Sequence, residues 1–334
     1  MAIIRDGMPP FDLFRPASVN DALALASRLG ADAWILAGGL DSLERFKDRI
    51  KRPKAVIDLG GIGELRGVRR EGDDLVIGAM TTLAEISRHP DIRKRFGLLA
   101  EAAAVVASPQ IRNQGTLGGN IAQDTRCWYY RGGWACYRAG GSTCFAGENP
   151  QGQNREHAIF GAEGCVAVNP SDTAPALVAL EARLVIKNPK GRREIAVEDF
   201  FVGPDQDITR LNILAPGELL TAIRLPATWS GATFYFEKVS DRPVWDFPLV
   251  NIAAAMRLTG NRIDRARLVM GAVAARPWRL LEVEAAVAGR DRNAVAEAAS
   301  RLAAKGAAVL PQNGYKAVLA ANLAKRAILG NKDA

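Results

Sequence analysis

NQGTLGGN, residues Asn113–Asn120, decides how this chain is read: it joins an apolar helical run to a loop that carries every cysteine. Glycine lets backbone N–H groups converge on an anion with no Cβ in the way. A helix starting just after the turn adds the positive end of its dipole. A second turn of this kind, AGGLDS at Ala37–Ser42, lies between a predicted strand, DAWILAGG (32–39), and an amphipathic helix, SLERFKDRI (42–50). Leu43, Phe46 and Ile50 share one face of that helix. Either turn alone need mark only a bend. Two in one domain point to a long ligand with a pyrophosphate.

Around these turns the pattern alternates. AVIDLG supplies a strand that completes a β-α-β unit, and ELRGVRREGDDLVIGAM reads as a hairpin turning near Gly72 and Asp73. Gly61, Gly63 and Gly67 imitate a dinucleotide fingerprint. That fingerprint must open a helix, and here a hairpin follows, so a Rossmann site is rejected. Thr82 and Glu85 form a capping box, residues 97–108 read as one longer buried helix, and TAPALVALEARLVI reads as helix then strand. A boundary is expected near residues 224–233. Beyond it TFYFEKVS, LVNIAAAMRLT and ARLVMGAVA are strands, and 279–288, 291–304 and 314–329 are helices. The class is α+β.

At 334 residues the chain is long enough for two or three domains, and 48% hydrophobic with 24% charged residues is ordinary for a globular protein. No apolar run approaches the roughly 20 residues that span a bilayer, and MAIIRDGMPPFDLF has no signal-peptide pattern. The net charge of +8 is dispersed among acids, as in RFKDRIKRPK, which suits a solvated surface or an acidic protein partner better than nucleic acid.

Cys127, Cys136, Cys144 and Cys165 follow the spacing C-x8-C-x7-C-x20-C. Without a secretory signal they read as reduced ligands rather than disulfides. No C-x2–4-C zinc knuckle exists. Wide, irregular spacing in a glycine-rich loop suits a 4Fe-4S cluster, one thiolate per corner. His157 reads as a hydrogen-bonding loop residue rather than a fifth ligand. Trp128, Tyr129, Tyr130 and Trp134 read as packing that shields the sulfur site.

ILAGGLDSL, IRNQGTLGGNIAQ, NPSDTAPALVALEA, PGELLTAIRLP, YFEKVSDRPVWDFPLVNIAAA and MGAVAARPWR run in order from about residue 30 to 280. Together they resemble the flavin-binding medium subunit of the molybdenum hydroxylases. The resemblance implies a two-subdomain FAD-binding fold of the vanillyl-alcohol oxidase (PCMH) type. Its subdomains would cover about 1–59 and 60–226, with a cysteine insertion at 124–168. A C-terminal α/β domain of the CO dehydrogenase flavoprotein type would cover 230–332.

It implies FAD wrapped by Ala37, Gly38, Gly39, Leu40, Asp41 and Ser42 and by Gly115, Thr116, Gly118, Gly119 and Asn120. The amides of Gly38, Gly39, Gly118 and Gly119 would be the donors. Asp172 would contact the ribityl or flavin region, unless it is only the N-cap of the helix that follows. Lys238 would lie near the isoalloxazine ring, unless it is a solvated strand charge. The family usually has Thr where this chain has Leu40, so Asp41 and Ser42 must keep that turn's geometry.

A branch with a 4Fe-4S insertion, found in periplasmic aldehyde oxidoreductases and 4-hydroxybenzoyl-CoA reductase, resembles the cysteine stretch. The chain would then be one subunit of an oxidoreductase, inactive alone on substrate. Its partners would be a large molybdopterin subunit and a small subunit with 2Fe-2S clusters, and an external acceptor would take the electrons. The alternative on the same scaffold is an aryl-CoA reductase fed by ferredoxin; that of another class is a zinc-stabilised, non-redox binding module. A signal-bearing partner would allow a periplasmic as well as a cytoplasmic location.

Overall fold

A computed structural model describes residues 7–331; residues 1–6 of the expected first domain and residue 332 of the last lie outside them. Three sheets organise the fold. The first is parallel, with β1 (Asp12–Phe14), β2 (Ala33–Leu36) and β3 (Ala55–Asp58) in the order β1-β3-β2. Parallel neighbours need crossovers. Helix Val19–Leu29, capped by the Ser18 hydroxyl, links β1 to β2, and helix Leu40–Lys47 links β2 to β3.

The second sheet holds β4 (Val68–Glu71), β5 (Asp74–Gly78), β6 (Arg183–Asn188), β7 (Gly191–Ala196) and β8 (Leu219–Leu225), in the order β4-β5-β8-β6-β7. The β4–β5 hairpin replaces the helix a dinucleotide fingerprint needs. The third sheet is antiparallel: β9 (Thr233–Val239), β10 (Val250–Thr259), β11 (Arg262–Gly271) and β12 (Trp278–Arg279). Helices Leu281–Val287, Arg292–Ala303 and Tyr315–Leu329 follow it.

One face of this third sheet joins the core of the second through Phe236, Ala253, Ala255 and Val269. The other packs Ile252, Ala254 and Met256 against the C-terminal helices. Both faces of β10 are therefore covered, which accounts for the unbroken apolar run IAAAM where a half-solvated strand would alternate.

The structure shortens one expected element. The helix predicted over 97–108 ends at Ala104, and a separate helix, Pro109–Gln114, follows. Proline disfavours helical backbone at the residue before it; Ser108 is extended (φ −123°, ψ 165°) and caps the second helix with its hydroxyl. Ala107 carries a positive φ of 42° at the break. Residues 278–279 are a short strand, so the helix expected from 279 starts at Leu281.

Candidate functional site

The two glycine turns meet. An added Cβ on Gly38 would stand 2.5 Å from the Gln114 carbonyl oxygen, and one on Gly118 2.9 Å from the Ala79 carbonyl oxygen and Cβ. Only glycine allows backbones that close. Gln114 Nε2 donates to Gly38 O at 3.2 Å, fastening one turn to the other. They line a cleft of about 1050 Å³ that runs between the first two sheets. All eleven turn residues expected from the sequence line it, and so does Asp172.

The donors divide unevenly. Gly118 N–H donates to Ala79 O at 2.9 Å, and Gly119 N–H to the Thr116 hydroxyl at 3.1 Å, where Thr116 caps the six-residue helix Leu117–Ala122. The second turn thus spends these amides internally, contrary to the expectation that they face a phosphate. Its glycines serve close approach. Among the described residues no protein acceptor takes the amides of Gly38, Gly39, Leu40, Asp41 or Ser42. Gly39 is left-handed (φ 80°) and turns these amides into the first turn of helix Leu40–Lys47. These open amides make this turn the candidate anion cradle. Ser42 Oγ accepts from Trp34 Nε1 at 2.9 Å and Asp41 accepts from Arg131 at 2.6 Å, so both side chains hold the turn although Leu40 supplies no hydroxyl.

Asp172 is buried and does not cap its helix, whose first turn is served instead by Ser171 Oγ accepting from Ala174 N at 3.0 Å. Its carboxylate accepts from Lys238 Nζ at 2.7 Å and Asn251 Nδ2 at 2.9 Å. Burial pushes the Asp172 carboxyl above its ordinary value, with Lys238 and Asn251 pulling the other way. Lys238 is not a solvated strand charge. It stands behind Asp172 rather than on the cleft wall, and also donates to Asp246 O at 2.8 Å.

The four thiols surround a second, small cavity with about 10 Å³ of free space, walled also by Tyr129, Tyr137, Phe145 and Val166. All four are free thiols. Among the described residues no three His, Cys, Asp or Glu side chains close on a point that would hold one metal ion. Arg138 lines both cavities. Tyr129, Trp134 and Phe145 form a ring cluster over the loop, with centroids 4.8–5.8 Å apart; Tyr129 and Tyr130 line the thiol cavity as expected, but Trp128 and Trp134 are exposed and do not shield it.

The family described as the FAD binding domain in molybdopterin dehydrogenase matches residues 9–228, and the CO dehydrogenase flavoprotein C-terminal domain matches 235–330. The chain belongs to the molybdopterin dehydrogenase flavoproteins. This family member is 31% identical to the carbon monoxide dehydrogenase medium chain of Hydrogenophaga pseudoflava, with 96% of each chain covered. It is 35% identical to the aldehyde oxidoreductase FAD-binding subunit PaoB of Escherichia coli (strain K12), over 78% of this chain and 81% of that one. In solved structures it resembles a chain of Cu,Mo-CO dehydrogenase (TM-score 0.77, 27% identity, 97% of this chain and 98% of that one). Quinoline 2-oxidoreductase from Pseudomonas putida 86 is similar as well (TM-score 0.75, 25% identity, 97% of each chain).

Membership makes the chain an FAD-binding oxidoreductase subunit of the molybdenum hydroxylase family and sets aside a non-redox zinc module. Among the described residues no helix is long and apolar enough to cross a membrane.

Three features of this flavoprotein carry no local sequence signal. Trp245 and Phe247 line the cleft from a loop of the C-terminal part, with Arg126 stacked 4.7 Å over Phe247. Asp124 ties the anion cradle to the cysteine loop. It accepts from Arg45 at 2.7 Å and from Arg138 and Tyr130, while its amide donates to Asp41 at 3.2 Å. Residues 308–316 clamp the far end of the loop. Gln312 and Asn154 exchange two hydrogen bonds, Asn313 donates to His157 O and Ala158 O, and Lys316 donates to Glu156 O.

Proposed function

We propose that this subunit carries electrons between FAD in the large cleft and a 4Fe-4S cluster in the cysteine pocket, within a heteromeric aldehyde-oxidising hydroxylase. The observation that carries the reading is the shared wall: Arg138 lines the cleft on one side and the four-thiol pocket on the other. The donor set fits a cluster. Four thiols face one space walled otherwise by tyrosines, small apolar residues and Arg138, and a cluster spreads its thiolates over separate irons, so they surround a volume instead of closing on a point. Seating it requires the four side chains to move outward from their present 10 Å³ of free space. FAD, when bound, exchanges both single electrons and pairs.

The chain's own groups supply position and field. The free amides of residues 38–42 would hold the pyrophosphate, and Asp172 would face the flavin half of the cleft with its charge offset by Lys238. Further partners fit this role: a large subunit with the molybdopterin cofactor, a small one with 2Fe-2S clusters, and an external acceptor. The relatives' descriptions as medium chains and subunits are consistent with such an assembly. The likeness to PaoB favours aldehydes over an aryl-CoA substrate.

Purified subunit or complex should be yellow-brown, with one FAD and about four iron atoms and four sulfides per copy of this chain. FAD with no iron beyond that of the 2Fe-2S subunit would overturn the cluster. Assay of the complex with aromatic aldehydes against 4-hydroxybenzoyl-CoA separates the two directions of electron flow.

A further inference from the structure

We propose that His157 sets the redox poise of the cysteine site by donating a hydrogen bond from Nε2 to the sulfur of Cys127; this rests on the cluster reading above. His157 is buried, and its Nε2 lies 3.3 Å from Cys127 Sγ. Its other ring nitrogen, Nδ1, is buried with no hydrogen-bond partner among the described residues. A buried N–H left without an acceptor is rarer in proteins than an under-used acceptor. The proton therefore belongs on Nε2, aimed at sulfur, with Nδ1 as the idle lone pair.

The ring is held from the main chain. Asn313, fully buried, donates to His157 O at 3.1 Å and Ala158 O at 3.2 Å. Lys316, also fully buried, donates to Glu156 O at 2.8 Å and Ala272 O at 2.7 Å. Three of these bonds fall on the consecutive carbonyls of residues 156–158 and the fourth ties the same lysine to Ala272, and together they fix where the imidazole points.

A donor to a thiolate stabilises negative charge on sulfur, and the reduced form of a cluster carries one more negative charge than the oxidised form. The hydrogen bond thus favours reduction, and losing it makes the site harder to reduce.

The test uses His157→Leu, close in volume with no donor, and His157→Gln, which keeps an N–H donor. Each is purified as the holoprotein, with iron and sulfide counted first and the midpoint potential then read by an EPR-monitored redox titration. His157→Leu should keep its iron and shift the reduction equilibrium about tenfold toward the oxidised form, about 59 mV for one electron; His157→Gln should stay near wild type. Iron lost only in the Leu variant, with the Gln variant at wild-type potential, also supports the donor role. Full iron with an unmoved potential in the Leu variant overturns it, as does iron lost from both variants. Wild-type protein without the extra iron fails earlier, at the cluster reading itself.

Discussion

Asp124→Ala should loosen the cysteine loop and the anion cradle together, costing about 3–5 kcal/mol, the range for removing one partner of a buried ion pair. The reason is the charge balance around it. The Arg45 and Arg138 side chains are only 6% and 4% exposed, and both lean on this one carboxylate. Arg45 has a second anion, Asp41, but at 3.9 Å; Arg138's other partner is the Ile208 carbonyl, which carries no charge. Urea unfolding should show a lowered midpoint, and hydrogen exchange should rise in residues 126–144 before the rest of the chain. An unchanged midpoint with unchanged exchange would show that the two guanidiniums find other partners.

The same site sets an acid limit. Burial alone would raise the Asp124 carboxyl, but the charges of Arg138 and Arg45 outweigh it and hold the group below its ordinary value. A depressed carboxylate contributes its stability above the unfolded pKa, about 3.9, and loses it as pH falls through the lower folded value. Opening of the loop should therefore begin below about pH 4, and Asp124→Asn should flatten that dependence.

Gly38→Ala should weaken FAD binding while leaving the cysteine pocket intact. The new Cβ would meet Gln114 O at 2.5 Å and Gln114 C and Gly115 Cα at 3.2 Å, all of them backbone atoms that cannot rotate away. The two turns must separate, at a cost of about 1–3 kcal/mol for overpacking. The cleft would open at the point where the free amides converge, and FAD affinity should fall about 5- to 150-fold by the roughly 1.4 kcal/mol-per-decade rule. Gly39→Ala is the contrast. Its φ of 80° makes alanine strained there, but the nearest atom is the mobile Leu43 side chain at 3.4 Å. It should weaken FAD less. Flavin released by heating and measured by fluorescence gives the comparison, and full FAD in Gly38→Ala would remove this turn from the site.

Much of this was legible in the sequence because the deciding signals are local. Glycine pairs after AWIL and before NIA, the Thr82 to Glu85 capping box and the period-two strands each declare themselves within a few residues. What stayed hidden depends on distant pairings. That Gly118 spends its amide on Ala79 follows from a contact across 39 positions, and composition cannot show which of two equally glycine-rich turns keeps its donors free. Asp124 sits among ordinary loop residues, and its arginines come from position 45 on one side and 138 on the other. The broken helix at Ala104 was readable in principle from Pro109, but the apolar run through Val106 masked it.

The clamp formed by residues 308–316 bears on how the protein is made. Asn154 waits for Gln312, which lies 158 residues later in the chain. At about 5–20 residues per second of synthesis, the ribosome needs roughly ten to thirty seconds to deliver that partner. During that interval four thiols in a half-built loop are open to the sulfenic and disulfide chemistry that folded packing later limits. On the proposed cluster reading, loading of this pocket would follow release from the ribosome, and slower translation of the last third would raise the fraction of chains with oxidised cysteines.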